Sequence, residues 1–233
     1  LLEKDIDRNV TTVENIDGVT HLSTAYTWDT DKQWALAPFF DKAVKEGLLK
    51  DSDRNYFQVF TVAGMPTTLA FNCPRIPENL NPNLVKDTSK ALIEGREAIY
   101  RLSLFCKKYF PGFENAYISN IADFLGVRVS NRLKGKYVYT IDDLKSGKKF
   151  EHPALISNYP VDVHNKSKNT STLEKTGEYQ LPIESLMSYD YDNLFVVGRG
   201  ISADYMAQGA LRVQASCFSM GEAVAKYIKN QLS

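Results

Sequence analysis

Residues 192–221 read DNLFVVGRGISADYMAQGALRVQASCFSMG, and this stretch decides the fold: an apolar run, a glycine turn and a long apolar helix. The run 194–197 is uninterrupted and strand-length, the pattern of a parallel strand covered on both faces. Gly198 ends it. After a short loop, Gly209 precedes a predicted helix over residues 210–231, whose first backbone N–H groups lack intrahelical partners and can bond an acceptor ligand. Arg199 and Arg212 flank that loop. Gly198 and Gly209 also have a plainer use, as loop glycines that permit positive φ or close packing. In the helix, Val213, Cys217, Met220, Val224 and Ile228 share one stripe with Leu211, Phe218 and Ala225 beside it, which predicts burial on more than one side.

Upstream, residues 36–50 place Leu36, Phe39, Phe40, Ala43, Val44, Gly47 and Leu48 on one helical stripe. Residues 56–61 and 67–72 read as a hairpin, and Pro74, Pro77 and Pro82 mark a loop. Asp87 or Thr88 is placed to cap a helix running to about Tyr109, where Pro111 and Gly112 stop it. Residues 117–140 are strand-like, with Gly126 and Gly135 dividing them, and residues 142–147 form a short helix or turn. Residues 166–177 are polar and aperiodic, a predicted surface loop, followed by a short strand at 179–182.

The chain has 233 residues, 43% of them hydrophobic and 24% charged, enough to bury a sizeable core in one or two folding units. Lys plus Arg equals Asp plus Glu, 28 of each, so no global field attracts nucleic acid or an anionic membrane. A small organic substrate suits that balance better. No apolar stretch approaches the ~20 residues that span a bilayer. Cys73, Cys106 and Cys217 are widely spaced with no C-x-x-C, against a disulfide framework or zinc ribbon and in favour of a reduced, cytoplasmic setting. No His, Cys, Asp or Glu cluster has metal-ligand spacing. Asn9, Asn165 and Asn169 open glycosylation triplets of a kind that chance supplies in any chain this long.

The opening block resembles the carboxy-terminal signature of the FAD-dependent oxidoreductase family, an N-L-x-x-x-G-R-x-I-S-A segment followed by a G-x-x-R-V helix and a later M-G-x-A. The matching residues are Asn193, Leu194, Gly198, Arg199, Ile201, Ser202, Ala203, Gly209, Arg212, Val213, Met220, Gly221 and Ala223. Residues 110–147 and the run NYPVDVHN at 158–165 agree with the same family, so the resemblance covers about residue 35 onward. It implies an α+β chain: a mixed β-sheet substrate domain with packed helices over 1–190, with 1–34 poorly placed. Over 191–233 it implies a strand and long helix from an incomplete Rossmann-type FAD-binding domain. In such a site, Ala210–Val213 at the helix start would face the pyrimidine edge of the isoalloxazine, where negative charge gathers on reduction. Arg199 and Ser202 would contact the ribityl or phosphate portion, with Gly198, Gly209 and Arg212 completing the cofactor-binding set.

Residues 127–134 alternate, with Arg128, Ser130, Arg132 and Lys134 on one face. That pattern is equally a solvated strand face, but similar family arginines run toward the flavin. Arg128 and Arg132 are therefore candidates to bind an anionic substrate or stabilise reduced flavin. His164 lies in a family-like segment, two residues from Asp162 and on the same strand face. It is a candidate base for the proton lost alongside hydride transfer, or else a hydrogen-bonded structural histidine.

Flavoproteins of this type open with a strand, a G-x-G-x-x-G turn and a helix that hold the adenosine pyrophosphate, and no such glycine turn occurs here. The chain also lacks an initiator Met. The expectation is a carboxy-terminal piece of a longer flavoenzyme, or a subunit whose site another chain completes, moving hydride between a small organic substrate and FAD. FAD would belong to the full-length protein, and this chain alone would neither hold it nor be active. The missing amino-terminal portion leaves apolar surface to be covered by self-association or by repacking of the last helix onto the substrate domain. The alternative is a non-catalytic binding or interaction domain that keeps the flavoprotein scaffold.

Overall fold

The computed structural model describes residues 11–16, 19–27, 36–76, 79–164, 171–174 and 176–232, with only the backbone described for 11–27, 164 and 171–174. The chain forms two compact units: Leu1–Leu125 with Lys166–Thr170, and Gly126–Asn165 with Ser171–Ser233. Residues on both sides of position 190 therefore belong to the second unit.

In the first unit, β1 (Thr11–Ile16), β2 (Val19–Thr27), β3 (Tyr56–Val62) and β4 (Met65–Phe71) form an antiparallel sheet in sequence order. The expected hairpin is β3–β4, with a register shift at Thr61/Val62 just before its turn. Helix α1 (Ala37–Lys45) starts with Pro38 in its first turn, where a missing N–H costs nothing. It stops short of the predicted position 50, because the chain reverses at Gly47, φ +74°, and returns Leu49 to the core. Helix α2 (Val85–Tyr109) begins before either expected cap: Asp87 instead accepts the Asn81 N–H at 2.8 Å, and the N-cap position is Leu84. The core is aromatic, with Phe40 and Phe105 ring centroids 4.3 Å apart and Phe57 edge-on to both Phe40 and Phe110. Asp53, 2% exposed, anchors α2 to this core through a two-point bond with Arg101, 2.7 and 2.9 Å.

The second unit holds α3 (Ile141–Ser146), β5 (Pro153–Ser157), β6 (Val161–His164), β7 (Ser171–Glu174), β8 (Tyr179–Pro182), α4 (Tyr205–Leu211) and α5 (Gln214–Leu232). Strands pair antiparallel as β5–β8 and β6–β7, so part of the expected polar loop is strand. Residues 166–170 of that loop lie outside the described residues. Helices and small antiparallel sheets make this an α+β protein, and the parallel pairing among the described residues is a single bridge, Tyr139 to Ala203. Tyr139, Tyr179, Leu181, Leu186, Ile201, Leu211 and Met220 fill its core.

Three expectations change here. Residues 117–140 form no regular strand: Leu133 N–H bonds Gly200, Lys136 bonds Met187, Tyr137 bonds Glu184 and Tyr139 bonds Ser202, so the partners alternate between two segments and no ladder develops. Residues 194–197 make one bridge, Phe195 with Met187, and Leu194 and Val197 remain 42% exposed instead of covered on both faces. The single helix expected from 210 is two helices broken at Arg212 and Val213, and Gly209 lies inside the first of them. Helix α5 packs on β5, burying Met220 and Val224. No helix among the described residues is long and apolar enough to cross a membrane.

Candidate functional site

Of the predicted cofactor residues, Gly198, Arg199 and Ser202 lie on one loop of the second unit. Gly198, φ +79°, opens a 3₁₀ turn over Gly198–Gly200, a backbone conformation that other residues rarely adopt. From the turn, Ile201, Ser202 and Ala203 run into the core and are held on both sides. Ser202 N–H donates to Ser185 O at 3.0 Å, and Ser202 O accepts from Tyr139 N–H at 3.1 Å. Arg132 Nη1 donates to Ala203 O at 2.7 Å, and the exposed Arg199 bonds the Val127 carbonyl through Nη1. Arg128 joins through its own carbonyl, which accepts Gln208 Nε2 at 3.2 Å. The structure therefore brings Arg128, Arg132, Arg199 and Ser202 together around one turn.

Gly209 and Ala210 serve a different purpose. Both are buried in α4, and a Cβ added at Gly209 would lie 2.7 Å from Val163 Cγ2 and 3.0 Å from the Asp162 carbonyl oxygen. Gly209 thus lets α4 approach the β6 backbone. Arg212 closes the same contact: its Nη2 donates to Asp162 O at 2.7 Å and lies 3.2 Å from Asp162 Oδ2, with 11% of the Arg212 side chain exposed. Val213 is half-buried at the break, one residue before α5. His164 sits on β6 opposite Ser171, and the strand backbone puts it on the face of Asp162; its side chain lies outside the described residues.

Residues 198–203 also spell G-x-G-x-x-A between an apolar run and a helix, the order of a pyrophosphate turn. The structure puts this stretch to another use. Asp204 caps α4, with Oδ1 accepting Ala207 N–H and Oδ2 accepting Ile141 N–H, both at 2.7 Å, so a carboxylate of the chain itself occupies that helix start.

Sequence reasoning missed Asp204 and Gln208. Asp204 had a signal, an N-cap residue type directly before an apolar helical run. Gln208 had none, because a polar residue in a helix ordinarily faces solvent. It is 1% exposed, and its Nε2 bridges the carbonyls of Arg128 and Arg199, both at 3.2 Å. Two carbonyl partners require the amide NH₂ on that side, which leaves Oε1 buried without a partner among the described residues. The hydroxyls of Ser185, Ser202 and Tyr139 are in the same condition. Burial also raises the Tyr139 phenol above its ordinary range, assisted by the nearby Asp143 charge, so that hydroxyl stays protonated.

Among the described residues no three His, Cys, Asp or Glu side chains converge as a metal site. Compared with known proteins, the chain matches no curated protein and no solved structure. Residues 3–231 do match the family model described as FAD dependent oxidoreductase, nearly the whole sequence. With that match spanning both units, the chain belongs to the FAD dependent oxidoreductase family.

Proposed function

We infer that this chain contributes the substrate domain and the flavin-facing turn of an enzyme that moves hydride between a small organic molecule and FAD. The supporting observation is the family match over residues 3–231 together with the convergence of Arg128, Arg132, Arg199 and Ser202 on the turn at Gly198. Bound FAD supplies the two-electron carrier, and the protein supplies orientation and charge. The accessible residues suited to hold it are Gly198, Arg199 and Val213, with the opening turn of α5 taking the place first expected at residue 210. Gly209, Ala210 and Arg212 act one layer back, fixing α4 against β6, and Ser202 holds the turn itself. The buried acceptors of Ser202 and Gln208 suit a polar group brought by a ligand or by water.

Arg132 commits one donor to Ala203 and has others to orient an anionic substrate, while Arg128 and His164 complete the candidate catalytic set, His164 as the proton acceptor. The adenosine half of FAD needs a strand–G-x-G-x-x-G–helix unit, which this sequence does not contain and which the whole enzyme would draw from the remainder of the Rossmann-type domain whose carboxy-terminal part is 191–233. The test is to purify the protein together with that unit and release any flavin by denaturation. Stoichiometric FAD is expected, and Arg199→Ala should weaken its retention by about tenfold, the equivalent of ~1.4 kcal/mol. Protein free of flavin and unable to take up added FAD would favour the non-catalytic scaffold instead.

A further inference from the structure

A cavity of about 640 Å³ lies within the first unit, between the β3–β4 hairpin, helix α2 and residues 113–122. Its wall is mainly apolar: Phe57, Phe71 and Phe113 from three different segments, with Leu69, Ile99 and Leu102 beside them and a minority of polar side chains such as Thr68 and Asn120. The rings meet edge to face, Phe57 with Phe71 at 5.6 Å and Phe71 with Phe113 at 6.3 Å, an arrangement that offers ring faces and edges to an apolar guest. Two cysteines line it as well. Burial pushes the thiols of Cys73 and Cys106 up to about 12, so both are neutral at ordinary pH and add soft apolar surface instead of nucleophiles. Ser103, on the same wall, turns its hydroxyl to the Tyr100 carbonyl at 2.8 Å.

Against this background one charge stands out. Among the described residues lining the cavity, Lys107, exposed on the last turn of α2, is the single charged one, with no Asp or Glu beside it in that set. The larger cleft nearby, about 800 Å³, is different: it is lined by acids and bases that pair with each other, Asp53 with Arg101 and Glu94 with Lys90. A volume of several hundred Å³ suits a small molecule. An interior without charge cannot take the ionised end of a ligand, whereas a lone exposed ammonium can meet it in water.

We propose that this cavity binds a small amphipathic carboxylic acid, its aryl or branched alkyl body between Phe57, Phe71, Leu102 and Phe113 and its carboxylate at Lys107. The site is independent of the flavin reading, since it uses only residues of the first unit. Calorimetric titration of the 233-residue chain with 4-phenylbutyrate, its neutral counterpart 4-phenylbutanol and acetate tests it. The acid should bind saturably at one site per chain, the alcohol about threefold more weakly, the scale of one exposed ion pair, and acetate should give no signal. Lys107→Met should reduce the acid to the affinity of the alcohol, and Ser103→Trp or Ala116→Trp, each shown to be folded by thermal unfolding, should abolish binding of both. The proposal is overturned if neither phenyl compound binds, if acid and alcohol bind the wild type equally, or if the acid binds undiminished to both folded tryptophan variants.

Discussion

At the scale of the residue, Gly209 shows how one atom sets a packing distance. Alanine there would gain about 1 kcal/mol of intrinsic helix propensity, but its Cβ would press on Val163 Cγ2 at 2.7 Å and on a backbone oxygen at 3.0 Å. Overpacking of this kind costs about 1–3 kcal/mol, and because the Asp162 carbonyl belongs to a strand it cannot swing aside. The clash therefore wins. Urea denaturation should show Gly209→Ala to be less stable than the wild type by about 1–2 kcal/mol, and Val163→Ala in the same chain should recover only part of the loss. An unchanged or raised midpoint for Gly209→Ala would mean that α4 and β6 do not approach this closely. The glycine was visible in the sequence as part of a flavoprotein signature, yet a signature records position and not purpose.

At the scale of the element, α3 is a six-residue helix that depends on its cap. Thr140 Oγ1 accepts the Asp143 N–H at 3.2 Å, and the Asp143 carboxylate returns to the Thr140 N–H at 3.1 Å, a reciprocal box. Burial alone would raise the Asp143 pKa, but hydrogen bonds from the Tyr137 hydroxyl, Thr140 and Lys148 outweigh it and hold the carboxyl below its usual range. A depressed folded-state pKa contributes stability that is complete above the unfolded-state value and lost as pH falls through the folded-state value. Asp143→Asn should accordingly lower stability by about 1 kcal/mol near neutrality and flatten the acid limb of the stability curve below about pH 4. Equal melting-temperature differences between variant and wild type at neutral and strongly acidic pH would contradict this. Local rules made α1, the β3–β4 hairpin, α2, α3 and β8 legible, because their patterns and stop signals lie within each segment. They failed for residues 127–134, whose alternation is real while their backbone partners are divided between two distant segments. They failed again at Arg212, where the helix is interrupted at a residue whose side chain bonds a strand fifty positions away.

At the scale of the whole molecule, apolar pattern and burial part company along the run at 194–197. Leu194 and Val197, in the run expected to be covered on both faces, lie at the surface, and Phe218 on α5 is 75% exposed. The sequence could reveal that apolar pattern but not its exposure, since exposure is decided by residues distant in the chain. The turn at Gly198 was legible for a similar reason: glycines and arginines in fixed order are a local record. Gln208 and the clasp made by Asp204 were not, because their meaning depends on residues sixty to eighty positions earlier. That clasp bears on the order of events as the chain folds. Its bond to Ile141 closes a loop of 63 residues, an entropic cost of roughly 4 kcal/mol, which no single hydrogen bond offsets. The Tyr139 bonds to Ser202 and Asp204 share the same closure, so all three wait for the core beneath them. In stopped-flow measurements Asp204→Ala should speed unfolding and leave the refolding rate nearly unchanged, whereas slowed refolding would place the clasp in the nucleus. Asp204 on this account acts as a latch: it has little part in finding the native state and a large one in how long that state persists.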